Sequence, residues 1–477
     1  MDLRTIYGEL DGVGLADLVR QREVTPLQLV DEAIRRTEAV NGELNAVICR
    51  MFEHARAAAM GTPSNGPFAG VPFLMKDFLA EVAGHPFHEG SAFLDGYIPA
   101  EDSEIYRRFT RAGLITIGKT NLPEMAIGAT TEPLKFGPTH NPWDLARTPG
   151  GSSGGAAAAV AARIVPMAHG NDVGGSIRIP ASCCGLVGLK PTRGRGTLAP
   201  LYGDLFAGYL SEGALTRSVR DTAVLLDLIA GPEIGEPYSA PVPARPFAQE
   251  VGVDPGRLRI AFSTVTPLGD PLDPACKAAV EATAKLCEAC GHDVVEAEPT
   301  FDAMKLWTQF TAVLAGGIAW ALADWSRRLD RPLDEALFEP FVWAFAKRGR
   351  AQSAADHLLA VQDVQLQVRR YSRFFIDHDL WLTATLAQTP VPLGTLVFNG
   401  DPVELRRRTA KFNPYNYIAN ATGQPAISLP LHWSADGLPV GSLFTARYGE
   451  EATLLRLAAQ LEEARPWFER RPLVCAQ

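Results

Sequence analysis

The sequence predicts an α/β fold: a large mixed, partly parallel sheet covered by helices on both faces. Three observations carry that expectation. Short apolar runs bounded by glycine and proline recur along the chain. They alternate with segments whose apolar residues fall at helical spacing, and such alternation builds buried, partly parallel strands. Finally, 477 residues with 47% hydrophobic and 21% charged side chains can bury an extended core, and the balance is too apolar for disorder.

Taken in order, residues 14–40 place Leu15, Leu18, Val19, Leu27, Leu29, Val30 and Ile34 at helical spacing, with Thr25 and Pro26 as an N-cap and first-turn pair. They read as two helices. Residues 45–59 read as a short apolar piece and a further helix, and 61–66 as a loop. The run 71–74 is a strand candidate ending at Lys76, followed by a helix over 103–112 and a strand over 114–119. Residues 156–162 are almost all alanine, the strongest helix former. Strands are expected at 164–168 and 186–189, a helix at 219–229 and a Pro- and Gly-rich connection at 231–246. A second α/β portion follows, with strands at 258–262 and 292–296 around a helix at 273–290.

From 302 to 375 the texture turns helical and aromatic, with Trp307, Phe310, Trp320, Trp325, Phe341, Trp343 and Phe345. These side chains are either core or the lining of a substrate cleft. They spread over too many helical faces for one core stripe, so Trp307, Phe310 and Trp320 are taken as cleft candidates. Residues 380–384 return to strand and 454–464 close the chain as a helix. There is no internal repeat, and residues 1–477 read as one domain. Its parts are N-terminal helices (1–60), a motif-bearing body (70–200), a mostly helical cleft region (about 302–375), and closing strands and helix (380–470).

The chemistry concentrates in residues 150–192. They run Gly150-Gly151-Ser152-Ser153-Gly154-Gly155, the alanine helix, Gly170-Asn171-Asp172-Val173-Gly174-Gly175-Ser176-Ile177-Arg178-Ile179-Pro180-Ala181, and Gly188-Leu189-Lys190-Pro191-Thr192. Glycine loses the most backbone entropy on folding, so this density implies left-handed backbone or close approach of another group to the main chain. Successive amides at Val173, Gly174, Gly175 and Ser176 can turn inward as a nest for an oxyanion, with the Ser176 hydroxyl beside them.

Together with Gly70-Val71-Pro72-Phe73-Leu74-Met75-Lys76-Asp77 upstream, this stretch resembles the motif of the amidase signature family of serine hydrolases. Family-like texture reaches Gly423-Gln424-Pro425-Ala426-Ile427-Ser428-Leu429-Pro430. The resemblance implies the amidase signature fold and hydrolysis of carbon–nitrogen bonds through an acyl-enzyme. It makes Ser176 the nucleophile, Ser152 the bridging serine after a cis peptide from Gly151, Lys76 the base, and the amides of Val173, Gly174, Gly175 and Ser176 the oxyanion hole. Ser153 is implied to give a supporting hydrogen bond. Asp172 and Arg178 flank the nest and either pin its backbone or form a buried ion pair without catalytic role. Lysine as a base near neutrality needs its pKa lowered by roughly 2–3 units, which burial at the end of an apolar strand can supply.

Within the family, residues 168–195 look most like aminohexanoate cyclic-dimer (nylon-oligomer) hydrolases and neighbouring aryl-acylamidase and urethanase members. The substrate class so implied is a small-molecule amide, anilide, carbamate or ester, with no metal or organic cofactor. The chain departs from the common pattern at Asn171 and Val173, where members often carry threonine.

Other functions fit less of the sequence. A net charge of −9 with no long basic cluster gives no electrostatic footprint for nucleic acid. The N-terminus lacks the basic and apolar regions of a signal peptide, and no run of about twenty apolar residues is evident, so a cytoplasmic protein that does not enter a membrane is expected. Seven cysteines form no even framework, and Cys287, Cys290 and His292 continue a helix without a second ligand pair. An α/β-hydrolase elbow at Ser152 leaves Gly174-Gly175-Ser176 and Lys76 unexplained. The remaining alternative is a glutaminase-type subunit of a tRNA-dependent amidotransferase. The expected assembly is a monomer or homodimer.

Overall fold

The computed structural model describes residues 3–61, 64–398 and 400–476. Helices α1 (Leu3–Glu9), α2 (Gly12–Arg20) and α3 (Pro26–Leu44) lead into β1 (Val47–Arg50) and α4 (Phe52–Ala59). Thr25 caps α3 in a reciprocal pair with Gln28, and Pro26 occupies the first turn, where its missing N–H is not needed. β2 (Pro72–Lys76), α5 (Glu104–Arg111) and β3 (Ile115–Thr120) form the first parallel unit. α6 (Gly154–Ala161), β4 (Met167–Asp172), α7 (Arg178–Cys184), β5 (Val187–Lys190), β6 (Ser211–Thr216) and α8 (Val219–Ile229) carry and follow the motif. β7 (Arg259–Phe262), α9 (Pro274–Ala289) and β8 (Asp293–Glu296) make the second α/β portion. The helices α10 (Ala303–Arg328), α11 (Pro340–Arg350) and α12 (Ala354–Ser372) come next. β9 (Leu380–Ala384), α13 (Pro402–Phe412), α14 (Asn416–Thr422), β10 (Ala426–Trp433), β11 (Pro439–Ala446) and α15 (Glu451–Ala464) close the chain.

Among the described residues, eleven strands form one mixed sheet in the order β1-β3-β2-β4-β6-β5-β10-β11-β9-β7-β8. Parallel pairing joins β3, β2 and β4 at one end and β9, β7 and β8 at the other, with antiparallel ladders between. Helices α3, α4 and α6 pack on the β1–β4 half, and α8, α9 and α15 on the other. All five residues of β2 are buried, consistent with an apolar run covered on both sides.

Three differences from the sequence reading bear on function. β4 does not stop near residue 168 but continues through His169, Gly170, Asn171 and Asp172, paired residue by residue with β6 from Met167↔Thr216 to Asp172↔Ser211. Those polar and glycine residues are poor strand formers, and tertiary pairing overrides the propensity. The segment 402–422 forms two helices, α13 and α14, that the apolar pattern did not announce. Finally, α10 is long and apolar enough to cross a bilayer by length and composition. It instead packs against α11, α12 and α14, with Leu306, Phe310, Val313, Ile318, Leu322 and Trp325 buried.

Candidate active site

Lys76 is the last residue of β2, and its side chain is fully buried. Nζ donates to Ser152 Oγ at 2.7 Å and to Asn171 Oδ1 at 2.7 Å, and it lies 5.6 Å from the centre of the Phe78 ring. Burial pulls its pKa down to about 7, against the opposing pull of the Glu212, Asp172 and Glu89 charges. The backbone is held as well. Lys76 N–H donates to His169 Nδ1 at 3.3 Å, and the opposite ring nitrogen of His169 meets Glu212 Oε2 at 2.7 Å. With Nδ1 accepting, the ring proton sits on Nε2 and donates to the carboxylate.

Ser152 is buried at the turn before α6, and the Gly151–Ser152 peptide is cis. A β-carbon at Gly151 would lie 2.5 Å from Thr130 O, so only glycine fits against that backbone. Ser153 ties this turn to the second one: its N–H donates to Ser176 O at 3.2 Å and its Oγ to Asn171 O at 3.5 Å. Ser152 and Ser176 both line the same cleft, and no hydrogen bond joins their hydroxyls in this structure.

The β4–α7 turn holds Val173, Gly174, Gly175 and Ser176. Asp172 organises it. Its Oδ1 accepts from Gly175 N–H at 2.8 Å, its Oδ2 from Ile177 N–H at 3.1 Å, and both oxygens accept from Arg178. Asn420 completes the cluster, donating to Asp172 O and Oδ1 and accepting from Arg178. Burial alone would raise the Asp172 carboxyl, but Arg178 and Asn420 outweigh it and hold it well below the usual range. Of the two readings of Asp172 and Arg178, the geometry supports the pinned backbone. One expectation needs correction here. The Gly175 amide is committed to Asp172 and is not available to a substrate oxyanion. The amides of Val173, Gly174 and Ser176 make no hydrogen bond among the described residues, and Asn413 Nδ2 holds Gly174 O at 2.8 Å.

These groups open into a cleft of about 790 Å³, including its solvent-facing mouth. Trp307, Phe310, Leu314 and Ile318 project into it from one face of α10, joined by Phe206, Phe341, Tyr417 and the loop 125–129. Trp320 does not take part. At about 100° per residue it stands roughly 200° around the helix from Ile318. It is 44% exposed and packs edge-on against Tyr202 at 5.6 Å. Trp325, Trp343 and Phe345 are buried in the core.

Asn171, His169, Glu212, Asn413 and Asn420 hold the site together, yet the sequence reading gave none of them that part. His169 and Asn171 alternate on β4, so period-2 spacing places both on the face toward Lys76 once the strand is drawn to its full length. Glu212, Asn413 and Asn420 come from distant segments and carry no local signal.

The amidase family's sequence profile matches residues 28–455. The chain is 40% identical over 475 residues to 6-aminohexanoate-cyclic-dimer hydrolase of Paenarthrobacter ureafaciens, covering 97% of this chain and 96% of that protein. A solved 6-aminohexanoate cyclic dimer hydrolase in complex with substrate superposes with a TM-score of 0.94 at 39% identity, covering 99% of this chain and 100% of that one. A bacterial aryl acylamidase superposes with a TM-score of 0.87 at 27% identity, covering 96% and 97%. The motif, the sheet that displays it and these likenesses over nearly the whole length agree: the chain belongs to the amidase signature family.

Proposed function

We propose that this protein cleaves the carbon–nitrogen bond of hydrophobic amides, anilides and carbamates through an acyl-enzyme on Ser176. The observation that carries the reading is a lysine buried without a charged hydrogen-bond partner, its Nζ 2.7 Å from Ser152 Oγ at the floor of an apolar cleft. Burial brings the Lys76 pKa down to about 7, which makes the neutral amine accessible near neutral pH. Neutral Nζ takes the proton of Ser152 as Ser152 takes that of Ser176, and Ser176 Oγ attacks the carbonyl carbon. The oxyanion of the tetrahedral intermediate is held by the amides of Val173, Gly174 and Ser176. When the C–N bond breaks, the proton returns along the same path to the leaving amine. Water then enters the vacated position and repeats the sequence to release the acid.

The lining favours apolar or aromatic substrates over small polar amides such as glutamine, because each well-buried apolar contact contributes about 1.5–3 kcal/mol. That argues for a stand-alone hydrolase acting on small molecules rather than an amidotransferase subunit. The likeness to cyclic-dimer hydrolases adds cyclic and linear oligoamides to the substrate classes worth assaying. A panel of amides, anilides, carbamates and esters tests the reading, with mass spectrometry of the trapped acyl-enzyme. Hydrolysis with a covalent adduct on Ser176 is expected. Adduct formation at another residue, or unimpaired amide turnover in Ser176→Ala, overturns it.

A further inference from the structure

One charge in the cleft wall has no acidic partner among the described residues. Among the described lining residues, Arg406 alone is charged. It lies on α13, and Arg406, Thr409 and the C-cap residue Asn413 all reach the cleft. The guanidinium sits over the Trp307 ring at 4.4 Å and the Phe345 ring at 5.6 Å. It makes one hydrogen bond, from Nη2 to Thr311 Oγ1 at 2.6 Å, and Nε is buried with no acceptor.

Arg406 is part-buried, and the fully buried arginines are treated differently, Arg36 for instance meeting Glu32. Arg178 and Arg195 each meet a carboxylate, Asp172 and Glu451. Arg163 and Arg217 have no acid but each donates to at least two backbone carbonyls. The acid closest to Arg406 in sequence, Glu404, pairs with Arg407 and Arg408 instead. Its charged neighbour is Arg348, which repels it. A part-buried guanidinium whose Nε has no acceptor is open to a counter-ion, and its planar fork matches a carboxylate.

We propose that Arg406 receives a carboxylate carried by the substrate. The proposal rests on the amide hydrolase reading and narrows it to amides that join a carbonyl, an apolar spacer and an acid. Mono-amides of dicarboxylic acids and N-acylated amino acids are of this kind. The helix α13 connects the two positions. Asn413, the residue that ends α13, is tied to Gly174 in the nest, and Arg406 stands seven residues before it, about two helical turns from the nest along the backbone.

The test uses the full-length enzyme and amides in matched pairs ending in a carboxylate or a methyl group, lengthened one methylene at a time. One series carries the acid on the acyl side and the other on the amine side. The expected result is a kcat/KM ratio favouring the acid by roughly tenfold or more at one chain length in one series. That ratio should fall to about one in Arg406→Gln and be partly kept in Arg406→Lys. Because it is taken within each variant, loss of folded enzyme cancels. No preference for the acid in either series, or an undiminished ratio in Arg406→Gln, overturns the proposal. Calorimetric binding of the free carboxylates against the matching alcohols decides the same question without turnover, equal affinity counting against Arg406. A wild-type enzyme that binds the acids yet cleaves none of the amides refutes the hydrolase reading alone.

Discussion

Both hydrogen-bond acceptors of Lys76 Nζ are neutral, so its pKa is a contest between burial, which lowers it, and more distant carboxylates, of which Glu212 is the strongest. The sign of the pH dependence follows. The neutral amine is the active form, and kcat/KM should rise with pH through about 7. Glu212→Gln keeps an oxygen for His169 but removes the charge that favours ammonium, so the acid limb should move to lower pH. A limb that stays put or moves upward would show that another group titrates. Stability is linked to the same shift. Between about 7 and the ordinary value of 10.5, the unfolded chain holds a proton on Lys76 that the folded chain has released, so folding stability rises with pH across that window. Lys76→Met should lose that rise in urea titrations, along with amide turnover. At this scale the resemblance to the family motif singled out Lys76 and the two serines, and the structure places Lys76 Nζ against Ser152 Oγ and both serines at one cleft. Asn171 and His169 escaped because Gly170 and the polar residues around it masked a strand whose alternation would have revealed them.

The decisive element is the β4–α7 turn, a strand end converted into a nest by one carboxylate that captures two successive-turn amides. Gly175 has φ +122, and a β-carbon there would meet Asn416 Cβ at 2.7 Å and Ile179 Cδ1 at 2.9 Å. Gly175→Ala should therefore destabilise the fold by about 1–3 kcal/mol through strain and overlap. It should also reduce kcat by at least an order of magnitude, because the flanking donors move. Unchanged kcat at lowered stability would separate the nest from catalysis. Asn413→Ala leaves Gly174 O without its acceptor role and loosens the turn from α13. A roughly tenfold loss concentrated in kcat is expected, with KM for a methyl-ended amide little altered. The glycines were legible in sequence as a requirement for unusual backbone, whereas the commitment of the Gly175 amide to Asp172 was not. Five positions separate Asp172 from Ile177, and only the three-dimensional turn decides which amides the carboxylate takes.

In the molecule as a whole, the cleft runs between the strand ends that display the motif and the helices α10, α11, α13 and α14 that line it. Phe310 bridges the two, stacking on Tyr209 at 5.0 Å and closing to 3.6 Å from where a β-carbon on Gly174 would stand. The aromatic content of 302–375 was visible in the sequence, and its assignment to one face was not. Helical phase puts Trp307, Phe310, Leu314 and Ile318 in one stripe only when the single helix Ala303–Arg328 is known to be unbroken. That phase makes a paired prediction. Trp307 stacks beside Phe310, meets Tyr417 edge-on at 4.9 Å and carries the Arg406 guanidinium, whereas Trp320 faces away. Trp307→Ala should lower kcat/KM for hydrophobic anilides roughly tenfold to a hundredfold relative to a small amide such as acetamide, the equivalent of losing about 1.5–3 kcal/mol of apolar contact. Trp320→Ala should leave that ratio within about twofold of wild type, because it removes no cleft surface. Selectivity that moves with Trp320 and not with Trp307 would mean that substrate enters from the other side of α10, and the stripe would then be core packing alone.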